Sequence, residues 1–155
     1  MLERKSALDL ENHAMLLINS YRHWTGKALI PLEFGRSALE QLDSSKLIVL
    51  SHGTEDDPIL NYGNNVTLKL WELEWDVFTR TPSRLTAEPM EREERAQFMA
   101  RVTSDGYVDN YTGIRVSSIG KRFYIKRATV WNVVDSEGIY RGQAAAFADY
   151  EYVSK

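Results

Sequence analysis

Cysteine is absent from the 155-residue chain. That removes a disulfide framework, a thiolate metal site and a cysteine nucleophile from consideration. A basic surplus is also missing: the formal net charge is −3, which argues against a general nucleic-acid binder. No window approaches the roughly 20 consecutive apolar residues that a membrane-spanning helix needs. The charged opening, Met1–Ser6, does not resemble a signal peptide. Gly-x-Ser-x-Gly, P-loop and Gly-x-Gly-x-x-Gly patterns are all lacking. The expectation from these absences is a cytoplasmic protein without nucleic-acid or membrane partners. The sequons at Asn65 and Asn110 read as chance matches.

What is present describes one ordinary globular domain, 43% hydrophobic and 26% charged, long enough to bury its own core. The strongest local signal lies in the last third. Lys121–Val134 is dense in β-branched and aromatic residues, Asp135–Gly138 is a turn, and Ile139–Phe147 is a second β-patterned run. One parity of the first run carries Phe123, Ile125, Arg127, Thr129, Trp131 and Val133. The other carries Tyr124, Lys126, Ala128, Val130, Asn132 and Val134. Neither is wholly polar, so both faces of this hairpin are expected to be covered, which calls for helices on both sides of a sheet.

Upstream, Leu10, Ala14, Leu17, Tyr21 and Trp24 recur at helical spacing, with Gly26 placed to end the helix. Phe34, Ala38, Leu39 and Leu42 suggest a second helix ending near Asp43. Lys46–Ser51 and Pro58–Tyr62 read as short strands, and Asn64 reads as the N-cap of a helix carrying Val66, Leu70 and Leu73. A further helix is expected over Pro89–Val102, with Arg95, Phe98, Met99 and Val102 on its inner face. A third strand follows from Tyr107 to about Ser118, interrupted near Thr112-Gly113.

The stretches SHGTEDDPILNYGN (51–64), LWELEW (70–75), PSRLTAEPMEREER (82–95) and GKRFYIKRATVWNVVDSEGIYRGQAAAF (120–147) closely resemble the MEKHLA domain family, which is PAS-like. The resemblance implies an α+β fold: a PAS-like five-stranded antiparallel sheet with helices on both faces, including the N-terminal amphipathic helix. Residues 1–45 would form a helical extension packed on a core of 46–155. Nothing here resembles the homeodomain or zipper that precede the domain in plant transcription factors, so the chain resembles a stand-alone version. PAS-like domains sense small molecules, light or redox state, or mediate partner contacts. Light-driven flavin members resemble one another in a reactive cysteine, and haem-bearing members commonly use a histidine on the helix before the third strand. This chain has neither, which argues against covalent flavin and histidine-ligated haem and leaves the cofactor unknown.

Candidate ligand contacts follow from the same layout. Arg84 falls in the segment that borders the PAS cavity, and Arg95 shares a helical face with Phe98. A guanidinium directed inward needs an anionic partner, either a ligand carboxylate or an internal acid such as Asp109, Glu88 or Glu91. Arg127, on a mixed strand face, carries the same two readings. Among the aromatics, Trp71, Tyr111 and Trp131 are candidates for a pocket lining, although most of the aromatic set is expected to be core. Thr129, Asn132 and Gln143 are the polar candidates for orienting a ligand. His52 beside Glu55, Asp56 and Asp57 reads as a strand-end histidine tied to an acidic loop, and His13 and His23 as surface residues.

Three functions compete. The preferred one is a non-enzymatic sensory or small-ligand-binding module, accepting a small organic or anionic ligand. The second is a protein–protein interaction module with a filled interior, forming a homodimer through the N-terminal helix. The third, ranked last, is a small cone-shaped enzyme with Asp109 or Glu72 as its acid–base carboxylate.

Overall fold

A computed structural model describes residues 7–88 and 92–153, without the side chains of Arg92 and Arg95. Helix α1 spans Ala7–Thr25, α2 Ala38–Asp43, α3 Asn65–Trp71, α4 Trp75–Phe78 and α5 Arg92–Asp105, with a 3-10 turn at Ser83–Thr86. Strands β1 (Ile48–His52), β2 (Leu60–Gly63), β3 (Tyr107–Val116), β4 (Arg122–Val134), β5 (Tyr140–Phe147) and β6 (Asp149–Tyr152) form one antiparallel sheet in the order β2-β1-β5-β4-β3. The sixth strand is an addition to the five expected. It continues β5 in the same register along β4, Lys126 facing Asp149 as Thr129 faces Ala146.

The predicted hairpin forms across Asp135–Gly138. Asp135 Oδ1 accepts hydrogen bonds from the amides of Glu137 (2.9 Å) and Ile139 (3.0 Å), and Gly138 takes the left-handed φ of 80° that the turn requires.

Helix α1 lies across one face of the sheet, here called the outer face. Its Ala14, Leu17 and Ile18 share a hydrophobic cluster with Val49, Trp131, Val133, Ala144 and Ala146. Burying each large apolar side chain there contributes roughly 1.5–3 kcal/mol. Polar ties fix the helix in place. Ser20 Oγ donates to the Val134 carbonyl (2.6 Å) and accepts from the Val134 amide (2.9 Å), and Trp24 Nε1 donates to the Asn132 carbonyl (2.8 Å). The expected C-cap is present: Gly26 adopts φ 73° and its amide donates to Arg22 O. His13 is not a surface residue as expected; its Nε2 lies 3.0 Å from Ser51 Oγ on β1. His23 is exposed, its ring against Trp24.

The second helix is shorter than its periodicity suggested. Ser37 caps α2, so Phe34 falls outside it and is fully solvent-exposed. Glu11 of α1 reaches across to the start of α2, accepting from Ser37 Oγ (2.5 Å), Ala38 N (3.0 Å) and Leu39 N (3.1 Å). The Ser37 bond first, and the Leu39 amide next, hold this carboxyl below the usual glutamate range. Its stabilising contribution is therefore fully present above the unfolded pKa of about 4.3 and is lost as pH falls through the lower folded value. Glu11→Gln is expected to cost about 1 kcal/mol at neutral pH and to flatten the acid limb of a stability–pH curve measured by urea melts.

Helices α3 to α5 cover the opposite, inner face. There Ile48, Leu50, Leu60, Leu70, Trp71, Phe78, Phe123, Ile125, Ala128 and Phe147 form a second cluster. Asn64 precedes α3 as expected but makes no side-chain cap; its amide is turned into the core instead. Among the described residues no helix is long and apolar enough to cross a membrane.

Candidate functional site

Strand alternation decides which side chains face the helices on the inner side of the sheet, and β4 breaks its own alternation. Arg127 sits at φ 52°, and opposite it the chain passes from β5 to β6 at Ala148. Phe123 and Ile125 before the break, and Ala128 after it, all join the inner cluster, whereas Trp131 and Val133 join the outer one. The parity switch explains why neither parity of this run is wholly polar. Before the break, Arg122, Tyr124 and Lys126 are exposed, so only the second half of β4 is covered on both faces. The expectation of two covered faces is corrected for the first half. An extra-residue break of this type swaps the faces of every residue beyond it.

The swap sorts the candidate residues. Trp131 is fully buried on the outer face, edge-on to Tyr21 at 5.0 Å between centroids, and Thr129 faces the same way, paired with the outer-cluster Ala146. Asn132 and Gln143 face inward as neighbours on β4 and β5, with Gln143 Nε2 3.4 Å from Asn132 Oδ1. Asn132 Nδ2 donates to the Val102 carbonyl of α5 at 3.1 Å. His52 pairs with Gln143 from the β1 side. Ser51 faces α1, so alternation turns His52 to the inner face. Its Nδ1 lies 2.9 Å from Gly53 O and donates to it, so Nε2 is the ring nitrogen not engaged by that bond. The result is a half-buried polar row, His52–Gln143–Asn132, across three adjacent strands. The next inward row is apolar: Leu50, Ala145, Val130 and Val108.

Sequence reasoning picked out Asn132 and Gln143 and read His52 as a strand-end histidine tied to the acidic loop; the Nδ1 bond to Gly53 O does tie it to the loop's first residue, though not to the loop's acids. The loop acids have other partners: Glu55 Oε1 accepts from Ile59 N (3.1 Å) and Asp57 pairs with Arg84. Only cross-strand register brings His52 beside the two amides.

The opposite end of the inner face is filled by aromatic rings. Trp71 stands edge-on to Phe123 (5.3 Å) and Phe147 (6.3 Å), and its Nε1 donates to Thr86 O at 3.2 Å. Phe98 of α5 leans on Tyr111 of β3 at 4.9 Å, with Arg115 stacked over the Tyr111 ring.

The arginines do not behave as buried anion receptors. Arg84 is exposed and its Nε lies 3.1 Å from Asp57 Oδ2, a partner absent from the three acids expected. Its position on the 3-10 turn directs the guanidinium to solvent, where a charge needs no buried counterpart. Arg127 is likewise exposed and pairs with Asp149 beside the β4 break. The Arg95 side chain lies outside the described residues.

Neither carboxylate proposed for acid–base chemistry faces the polar row. Asp109 is exposed on β3, and Glu72, in the left-handed conformation ending α3, accepts from Ser117 Oγ at 3.0 Å. The Asp43 carboxyl is pushed upward, mainly by burial, but it belongs to the α2 end, accepting from Tyr62 Oη at 2.6 Å. No group of three or more metal-ligating side chains occurs among the described residues.

Solved structures of PAS and LOV domains share this architecture. The PAS domain of a protein from Colwellia psychrerythraea superposes with a TM-score of 0.59 at 10% identity, covering 74% of this chain and 92% of that one. The light-state dimer of the fungal blue-light photoreceptor Vivid gives 0.61 at 13% identity, covering 96% and 99%. An RNA-binding light-oxygen-voltage receptor gives 0.61 at 14% identity, covering 77% of this chain but 36% of that one. At these identities the likeness shows the fold alone. No curated protein sequence matches the chain. The MEKHLA domain model matches residues 11–152, and with the PAS-like sheet already described, the chain belongs to the MEKHLA domain family.

Proposed function

We propose that this chain is a sensory module that binds a small organic molecule on the inner face of its sheet and does no chemistry on it. The observation that carries this reading is the polar row His52–Gln143–Asn132 bordering an otherwise apolar face. Among the described residues, Gln143's side chain has one hydrogen bond, the long one to Asn132. A half-buried amide with unused donors and acceptors is suited to orient a ligand, because such groups are costly to leave unmade. Neighbouring amides match a neutral edge carrying both donors and acceptors. Of the small organic or anionic ligands expected, this favours a neutral, polar one, since Arg84 and Arg127 already have acidic partners. Ion pairing of Arg122, Lys126 and Arg141 also supports the absence of a nucleic-acid partner. A cytoplasmic setting is part of the same proposal.

The competing interaction-module reading draws on the closely packed Trp71–Phe123–Phe147 end. Native mass spectrometry of freshly purified protein separates the two. A bound small molecule is expected in the wild type and is expected to be lost in Gln143→Leu, with the unfolding midpoint nearly unchanged. A ligand retained by the double variant Asn132→Leu/Gln143→Leu would refute the site. Absence of any bound molecule, together with no thermal shift across a library of small heterocycles, would favour the interaction module.

A further inference from the structure

The apolar stripe expected to make α1 a dimer contact is used up on the chain's own sheet. A different apolar set is left in solvent. Leu8, Leu32 and Phe34 are all exposed, Phe34 completely. Glu11 ties together the two segments that carry them. It lies three residues beyond Leu8, on the same side of α1, and its carboxylate grips Ser37 and the start of α2 just after Phe34.

The loop presenting Phe34 is ordered by one side chain. Gln41 Oε1 accepts from Glu33 N (2.6 Å), while Nε2 approaches the carbonyls of Glu33 (3.2 Å), Arg36 (3.3 Å) and Ser37 (3.3 Å). Gly35 supplies the left-handed turn at φ 81°. A large aromatic ring is thus held away from the core on a braced loop, where it contributes nothing to the monomer. A pre-ordered aromatic of this kind has the properties of an interface anchor, since little entropy remains to be lost on contact.

We propose that this face is a homotypic interface, in which a second copy of the chain packs its Phe34 loop against this one about a two-fold axis. The rim argues for a second copy rather than a foreign partner. Among the described residues it carries charges of both signs, with Glu33 and Arg36 both more than half exposed and 2.6 Å apart and Glu40 also near Arg36. A two-fold contact sets a patch against itself, so the patch must hold its own complement. Arg36 of one copy then meets Glu33 of the other around an apolar centre of Leu8, Leu32 and Phe34. A partner of strong single charge would gain little from such a rim. Three side chains a side make a small contact by the standard of stable interfaces, so the dimer is weak and concentration-dependent.

Sedimentation velocity of the full chain over a concentration series tests this. Wild type is expected to shift from monomer to dimer, and Phe34→Ser to raise the dissociation constant by roughly tenfold or more without lowering the unfolding midpoint. Glu33→Arg and Arg36→Glu are each expected to weaken association, and the double reversal to restore it. A wild type that stays monomeric up to its solubility limit would overturn the proposal. So would a dimer indifferent to Phe34→Ser, a Phe34→Ser variant that loses fold stability, or a double reversal no better than either single one.

Discussion

Gly142→Ala is expected to destabilise the fold severely. Gly142 is buried at the start of β5, opposite Val133, with φ at 133°, a conformation that side-chain-bearing residues rarely adopt. A Cβ built there would lie 2.0 Å from the His52 carbonyl oxygen and 3.3 Å from Gly53 Cα. Both obstacles are backbone, so no rotamer change relieves them. Backbone strain of about 1–3 kcal/mol and overpacking of about 1–3 kcal/mol act together, against a total stability of roughly 5–15 kcal/mol. The expected loss is about 3–5 kcal/mol, read as a lowered urea midpoint or as insoluble protein. Gly138→Ala is the control. Its φ is 80°, but nothing lies within 4 Å of the added carbon, so only the conformational cost of about 1 kcal/mol applies. A Gly142→Ala variant as stable as Gly138→Ala would mean that β1 and β5 do not approach as described, and the polar row would lose its geometric basis.

The second large effect is expected at Asn64, which is fully buried. Its Nδ2 donates to the carbonyls of Leu42 (3.1 Å) and Leu47 (2.7 Å), and its Oδ1 accepts from Thr67 Oγ1 (2.6 Å) and Val49 N (3.3 Å). One amide thereby joins the end of α2, the entry to β1 and the first turn of α3. Asn64→Leu keeps the volume but strands these partners in the core. Each unmet buried polar group costs about 1–3 kcal/mol, so a loss of about 3–5 kcal/mol is expected in equilibrium urea unfolding. Asn64→Asp is expected to be worse at neutral pH, because a carboxylate would face two carbonyl oxygens. Burial and those oxygens raise its folded pKa, so its stability should be highest in acid and fall as pH rises through that value. An Asn64→Leu variant within 1 kcal/mol of wild type would show that water replaces the lost bonds.

The elements that could be read along the chain were those whose signal is local. The β4–β5 hairpin announced itself because two long β-patterned runs flank an Asp-to-Gly turn, and α1 because its apolar residues repeat at 3.6. Phe34 misled for the same reason. It stands at helical spacing from Ala38 and Leu42, but Ser37 caps α2 behind it, and a cap outranks periodicity at a helix end. Asn64 carried the right residue type for a cap, yet its amide bonds to main-chain groups 15 to 22 residues earlier, a choice that depends on where those groups fold.

The candidate site divides along the same line. Asn132 and Gln143 could be singled out as polar residues within apolar strands, but which face they share could not. A parity argument assumes unbroken alternation, and the break at Arg127 is specified by pairing with the β5–β6 passage, not by the β4 residues alone. His52 joins the row only through β1–β5 register, across 91 residues of chain. Arg84 finds its acid 27 residues upstream, at Asp57, where no helical or strand period points. Residue pattern by itself determined the hairpin and the first helix, because these rest on short-range preferences and on whole-segment hydrophobicity, and the quoted motif stretches carried the family resemblance that implied the class of the domain. The tertiary structure alone decided which charges pair, which face each side chain of β4 occupies, and that His52, Gln143 and Asn132 stand together, because those follow from register between strands distant in sequence.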